Sequence, residues 1–238
     1  MKIAFISDIH GNATALEAVI KDMKEKAVDQ VFVLGDLCYR GPEPKRSLEL
    51  VRSLDCPVIK GNADEWVVRG IEVGEVPGQA LDIMRKEREW TYSQLDEADR
   101  DYLKNLPTEV NTDVNGVQIY AFHATPDSLF DVVQPYASDD HLQEKLMTTE
   151  ADIYLYGHIH TPYIRFLNGK AVINLGSVGL PFDGVSKASY CLIDIQDGHF
   201  QTSLVRVDYD IQQVIDQLKR SDYPNIDFLV NVWQSGKP

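Results

Sequence analysis

The stretch KIAFISDIHGN, Lys2 to Asn12, decides how the chain is read. Its first six residues follow a β-strand pattern, and the run stops on Asp8, His10 and Gly11. From Thr14 to about Ala27 the period changes, and Leu16, Val19, Ile20 and Met23 fall on one side of an amphipathic helix. QVFVLG (30–35) reads as a second strand, PKRSLELVRSL (44–54) as a helix opened by Pro44, and CPVIKG (56–61) as a third strand. This βαβαβ order implies a parallel sheet, because parallel neighbours need a crossover between them. The fold class is α/β.

Beyond Asp64 the pattern changes. A Gly/Pro interruption, GEVPGQ (74–79), precedes a charged helical segment, so Asp64 to about Leu106 reads as a helical insertion at the mouth of the sheet. Trp66, Trp90 and Tyr92 either form the insertion's own small core or overhang the site and stack on a base. Strand patterns return at 117–123, 152–156, 163–167, 170–174, 189–195 and 199–207. Asn168-Gly169 and Asp197-Gly198 read as tight turns of antiparallel hairpins. A helix from about Asp210 to Lys219 follows. From about Ser221 a polar tail either packs down or mediates oligomerisation, which leaves the oligomeric state open.

The chain of 238 residues is 44% hydrophobic and 25% charged, enough for a sizeable core. Its formal net charge of −14 argues against binding polymeric nucleic acid through a basic surface. A small phosphorylated substrate stays compatible with that charge if metal ions supply local positive charge. Cys38, Cys56 and Cys191 form no CxxC pair and read as free thiols in a reducing compartment. The N-terminus lacks the pattern of a signal peptide and no run suits a membrane span, so a cytoplasmic protein without membrane partners is expected.

Several strands end on a potential metal ligand. KIAFIS runs into Asp8 and His10, VFVLG into Asp36, VIKG into Asn62, IYAF into His123, and IYLYG into His158 and His160. In open α/β sheets, ligands bind beyond the carboxyl ends of strands, where loops converge. A cap, a turn or a surface imidazole explains each motif separately. Jointly, in this order and each after its own strand, they read as one site.

D-x-H, G-D, G-N-x-D, H and G-H-x-H, in that order, resemble the signature of the calcineurin-like metallophosphoesterases. The resemblance runs from Ile3 to Asn174, and NLGSVGLPFDG (174–184) is similar to a segment of small bacterial and archaeal members. It implies a single domain over 1–238 with the four-layer αββα sandwich of that family, two mixed sheets flanked by helices, carrying the insertion. It also implies two metal sites: Asp8, His10, Asp36 and His160 for the first, and Asp36, Asn62, His123 and His158 for the second. Asp36 is then the bridge. Mixed imidazole, carboxylate and amide ligation favours Mn, Fe, Ni, Co or Zn over Mg, with Mn preferred here.

The implied activity is dinuclear phosphoester hydrolysis. Two adjacent cations, about 3.5–4 Å apart, lower the pKa of a shared water and polarise the phosphoryl oxygens, so no protein nucleophile is needed. Asn12 and Arg40 are candidate contacts to a phosphate oxygen; the plainer readings are a helix cap and a surface charge. Ala63 departs from the family pattern, since many members carry a histidine there that protonates the leaving oxygen or steadies the phosphoryl group. A methyl group does neither. The expectation is therefore a phosphodiesterase or phosphoanhydride hydrolase acting on small, nucleotide-like substrates. A phosphomonoesterase or protein phosphatase is the alternative within enzymes, and a non-catalytic scaffold the alternative outside them. "HATP" (123–126) and Leu175 are smaller departures that concern loop geometry.

Overall fold

The computed structural model describes residues 1–238. β1 (Lys2–Ile6) leads into α1 (Ala13–Glu25), and β2 (Gln30–Val33) returns parallel to β1 with Phe5 opposite Phe32. α2 (Pro44–Ser53) follows, with Pro44 in its first turn, where a missing N–H costs nothing. CPVIKG does not form the expected third strand. Only Val58 bridges to Val33. Pro57 has no N–H to donate to a ladder, and just after Ile59 donates to Val33 at 2.9 Å the chain coils into α3 (Asn62–Arg69).

α4 (Gly78–Ser93) and α5 (Glu97–Lys104) follow α3, so the segment from Asp64 to Leu106 is helical as expected. β3 (Glu109–Val114) and β4 (Val117–Phe122) make a hairpin on Asn115-Gly116, both left-handed. β3 is hidden in the sequence because EVNTDV alternates exposed polar side chains with half-buried ones. Then come α6 (Asp139–Leu146), β5 (Ile153–Tyr156), and the hairpin of β6 (Tyr163–Leu167) and β7 (Lys170–Asn174). A second hairpin, β8 (Ala188–Gln196) and β9 (His199–Val207), precedes α7 (Ile211–Arg220) and α8 (Ile226–Ser235).

The strands form two mixed sheets, ordered β2-β1-β8-β9 and β3-β4-β5-β7-β6. Phe5, Phe32, Ile119, Leu155, Ile173 and Ile193 belong to one buried cluster, which fills the space between the two sheets. Leu16, Val19, Leu48 and Val51 of α1 and α2 cover the outer face of the first sheet. Leu142 and Leu146 of α6 cover the second, against Tyr120 and Tyr154. The result is the expected αββα sandwich.

The expected polar tail is instead a packed helix. Asp227 and Asn231 interrupt its sequence, yet Leu229, Val232 and Trp233 share one face and bury against Leu180, Val214 and Leu218. No helix is long and apolar enough to cross a membrane.

Candidate metal centre

The carboxyl ends of β1, β2, β4 and β5 meet at one edge of the sandwich, and each delivers ligands in the loop that follows it. Main-chain hydrogen bonds stitch these loops together. Asp8 donates to Gly35 at 3.1 Å, His10 to Asp36 at 2.9 Å, Gly179 to Asp8 at 3.0 Å, and Gly157 to His123 at 2.9 Å. The backbone is left-handed at Asp8 (φ 55°), His10 (50°), Asp36 (56°), His158 (66°) and His160 (53°). Such conformations cost energy for non-glycine residues and cluster where function fixes a side chain. Gly61 permits a close approach, since a Cβ there would collide with the Asp36 carboxylate and backbone nitrogen.

Asp8, His10, Asp36 and His160, all buried, place ligand atoms within 4.8 Å of one another. The ring Nδ1 of His10 donates to Tyr39 O at 2.8 Å and that of His160 to Leu180 O at 2.5 Å. With those protons on Nδ1, the two Nε2 lone pairs face each other at 3.1 Å. His160 Nε2 also lies 3.1 Å from Asp8 Oδ1, a buried oxygen that accepts no hydrogen bond. Lone pairs crowded together without a donor are what a cation satisfies, so these residues fit a metal ion.

A second group adjoins the first. His123 Nε2 lies 2.9 Å and His158 Nδ1 2.8 Å from the amide oxygen of Asn62. His123 Nδ1 donates to Leu34 O at 2.7 Å, which aims Nε2 inward. Asp36 stands between the groups: Oδ2 is 3.6 Å from His10 Nε2 and Oδ1 is 3.5 Å from His123 Nε2. All seven sequence-predicted ligands therefore converge, with one carboxylate oxygen turned to each group.

Burial, reinforced by the neighbouring His160, lowers His10 to about 4; burial and His123 do the same to His158. Both rings stay neutral and available as ligands at pH 7. Burial also opposes charge on His123, but the Asp36 charge and hydrogen bond, with Asp8 behind them, lift it to about 10.

Asp64, the last residue of G-N-x-D, has a role that the sequence alone does not show. It is fully buried and accepts from the backbone N–H groups of Asp36 (2.8 Å), Leu37 (2.9 Å) and Gly61 (2.9 Å). It clamps the Asp36 loop to the Asn62 loop. Burial first, then the Asp36 charge, push its carboxyl up to about 7 against the opposing Leu37 and Gly61 donors. Its only sequence signal was its place two residues after Asn62.

The ligands floor a cleft of about 140 Å³ whose walls include Arg40, Ala63, Trp66, Met84 and Phe182. Arg40 reaches it; Asn12 does not. Asn12 Oδ1 accepts from Ala15 N at 3.0 Å as the cap of α1, and Nδ2 donates to Gly179 O at 3.1 Å. Both ends of that amide are engaged by the protein, so Asn12 braces the site and is not placed to touch a phosphate. Of the insertion's aromatics, Trp66 walls the cleft, while Trp90 packs edge-on to Tyr223 and Tyr92 lies between Arg88 and Arg100. Cys38 is a small buried side chain, its thiol pushed well up by burial.

The family model described as the calcineurin-like phosphoesterase superfamily domain matches residues 1–198. An uncharacterised protein of Methanocaldococcus jannaschii is 31% identical over 243 residues, which cover 93% of each chain. The crystal structure of a metallophosphoesterase from Sphaerobacter thermophilus aligns with a TM-score of 0.80 at 28% identity, covering 99% of both chains. A hypothetical protein from Pyrococcus horikoshii shares the fold at TM-score 0.84 and 22% identity, over 100% of this chain and 99% of that one.

Proposed function

Because this chain belongs to the calcineurin-like phosphoesterase superfamily, we propose that its buried Asp/His centre hydrolyses phosphodiester or phosphoanhydride bonds in small, nucleotide-like substrates. Asp8, His10, Asp36 and His160 would hold one divalent transition-metal ion, and Asp36, Asn62, His123 and His158 a second, with Mn the preferred ion. Bound there, the ions supply Lewis acidity, which activates water and offsets charge on the phosphoryl oxygens. The observation that carries the dinuclear reading is Asp36, one of whose oxygens faces each group of ligands.

The chain's own residues do the rest. Main-chain carbonyls accept from Nδ1 of the His10, His123 and His160 rings, which directs Nε2 of each toward the site; His123 would give up its Nε2 proton on ligation. Arg40, which lines the cleft, would offer guanidinium N–H groups to a phosphate oxygen. Proton donation to the leaving group is where the cleft is poor. Ala63 contributes a methyl group, and the Tyr39 hydroxyl is engaged with Met84 O and Glu87 while burial drives its pKa far up. An arginine does not release its proton. Without a general acid, typically worth about 10²–10⁴-fold, the leaving group must depart as a stable anion. That favours aryl or phosphate leaving groups over alkoxides. The net charge of −14 agrees with a small substrate and no polymeric nucleic acid.

The test is a substrate panel run with each divalent metal, before and after chelation. An aryl diester should turn over at least about 100-fold faster than glycerol phosphate. Activity should vanish with chelator and return with Mn. Comparable rates on the two substrates would overturn the leaving-group reading, and chelator-resistant activity the metal requirement.

A further inference from the structure

Arg40 is mounted from three directions. Its backbone is left-handed (φ 67°) and follows directly on Tyr39, the residue whose carbonyl orients His10. Its Nε donates to Glu87 Oε2 at 2.9 Å, and Glu87, on α4, is fully buried. The same carboxylate oxygen accepts the Tyr39 hydroxyl at 3.2 Å, and Oε1 accepts Asn225 Nδ2 at 2.8 Å. Phe228 of α8 lies under the guanidinium, 5.2 Å from ring centroid to Cζ. Nε makes the only protein hydrogen bond of this guanidinium, so both Nη groups are without a protein partner, and Arg40 lines the cleft.

Resting on the phosphohydrolase reading above, we propose that Glu87 is a positioning residue for phosphate recognition, fixing Arg40 through Nε so that both Nη groups face the cleft. Asn225 and Phe228 complete the mount from a segment beyond residue 198, where the family match ends. A free arginine surrenders much rotamer freedom when it grips an oxyanion, whereas a mounted one surrenders little. The charge of Glu87 acts in the opposite sense, since a carboxylate beside the guanidinium weakens its pull on an anion. Position and charge therefore make opposite predictions for the two simplest variants.

The experiment measures binding of inorganic phosphate to the Mn-loaded protein by calorimetry, alongside KM and kcat for an aryl diester. Glu87→Ala should weaken phosphate binding roughly 10- to 100-fold, the loss of one or two charge-assisted hydrogen bonds, and raise KM by a similar factor with kcat little changed. Glu87→Gln keeps an acceptor for Arg40 Nε and removes the charge, so it should bind phosphate at least as tightly as the wild type. Arg40→Ala should match Glu87→Ala, and the double variant should be no worse than Arg40→Ala alone. Asn225→Ala and Phe228→Leu, at the edge of the network, should give smaller losses in the same direction; they carry the test if Glu87→Ala does not fold.

Wild-type phosphate affinity in Glu87→Ala, equal losses in Glu87→Ala and Glu87→Gln, or multiplying losses in the double variant would each overturn the proposal. So would unchanged affinity in both Asn225→Ala and Phe228→Leu, or a wild-type protein that does not bind phosphate. A protein that binds phosphate through Arg40 but hydrolyses no substrate would sink the functional reading and leave this one standing.

Discussion

His123 differs from His10 and His158 in holding its proton when no cation is present, because the Asp36 carboxylate sits 3.5 Å from its Nε2. Its pKa in the metal-free fold, about 10, lies above its ordinary 6.5. The stabilisation this gives is complete below about pH 6.5 and is lost as pH rises toward 10. Metal-free protein should therefore melt lower at pH 9.5 than at pH 6.5. Loading at pH 8 should release a proton, because a ligating nitrogen must give it up. Calorimetry in two buffers of different ionisation enthalpy checks this; equal apparent heats would refute it. The seven candidate ligands could be picked out in the sequence because each follows a short apolar run; for six of them that run folds as a strand, and the one before Asn62 forms only a single bridge. Asp64 and Glu87 were not. Their work is done on backbone N–H groups and on Arg40, partners that adjoin them only once α3 and α4 are folded onto the sheet.

At the scale of elements, α8 is the piece the sequence understated. Trp233 is fully buried, and its indole N–H donates to Gly179 O at 2.8 Å, beside the bond that Asn12 makes to the same oxygen. The N–H of Gly179 in turn donates to Asp8 O. A helix of ten residues near the C-terminus thus backs the first ligand of the centre. Trp233→Ala should cost about 3–5 kcal/mol, as large aromatic truncations in a core do. It should also weaken metal binding, whereas Trp90→Ala, at the surface contact with Asp222, should leave metal binding alone. Equal metal affinity in the two variants, measured by competition with a chromogenic chelator, would disprove the link. CPVIKG erred the other way. Its apolar residues promise a strand, but a strand needs a run of backbone pairs, and CPVIKG makes a single bridge at Val58, with Pro57 lacking a donor before it and the chain coiling into α3 soon after.

For the molecule as a whole, the two sheets are held together by a dry apolar layer that contains none of the ligands. Metal removal should consequently leave the fold intact. Each ion present at about 100 times its Kd adds roughly 2.7 kcal/mol, so chelating both should lower the melting temperature by about 10–20 °C with unchanged far-ultraviolet circular dichroism. Loss of the circular dichroism signal on chelation would contradict this. The reason is in the loops, which are tied to one another by backbone hydrogen bonds that use no ligand side chain. The cup is built by folding, and folding does not consult what fills it. Small metal-dependent domains that fold around their ion make the choice of metal part of folding itself. With its loops held in this way, the protein would separate the two in time. It would fold first and then meet whatever divalent ions its surroundings hold, and the occupant would be decided by supply and by the affinity order of the metals. The same chain, made where different metals are abundant, would be the same structure and a different catalyst.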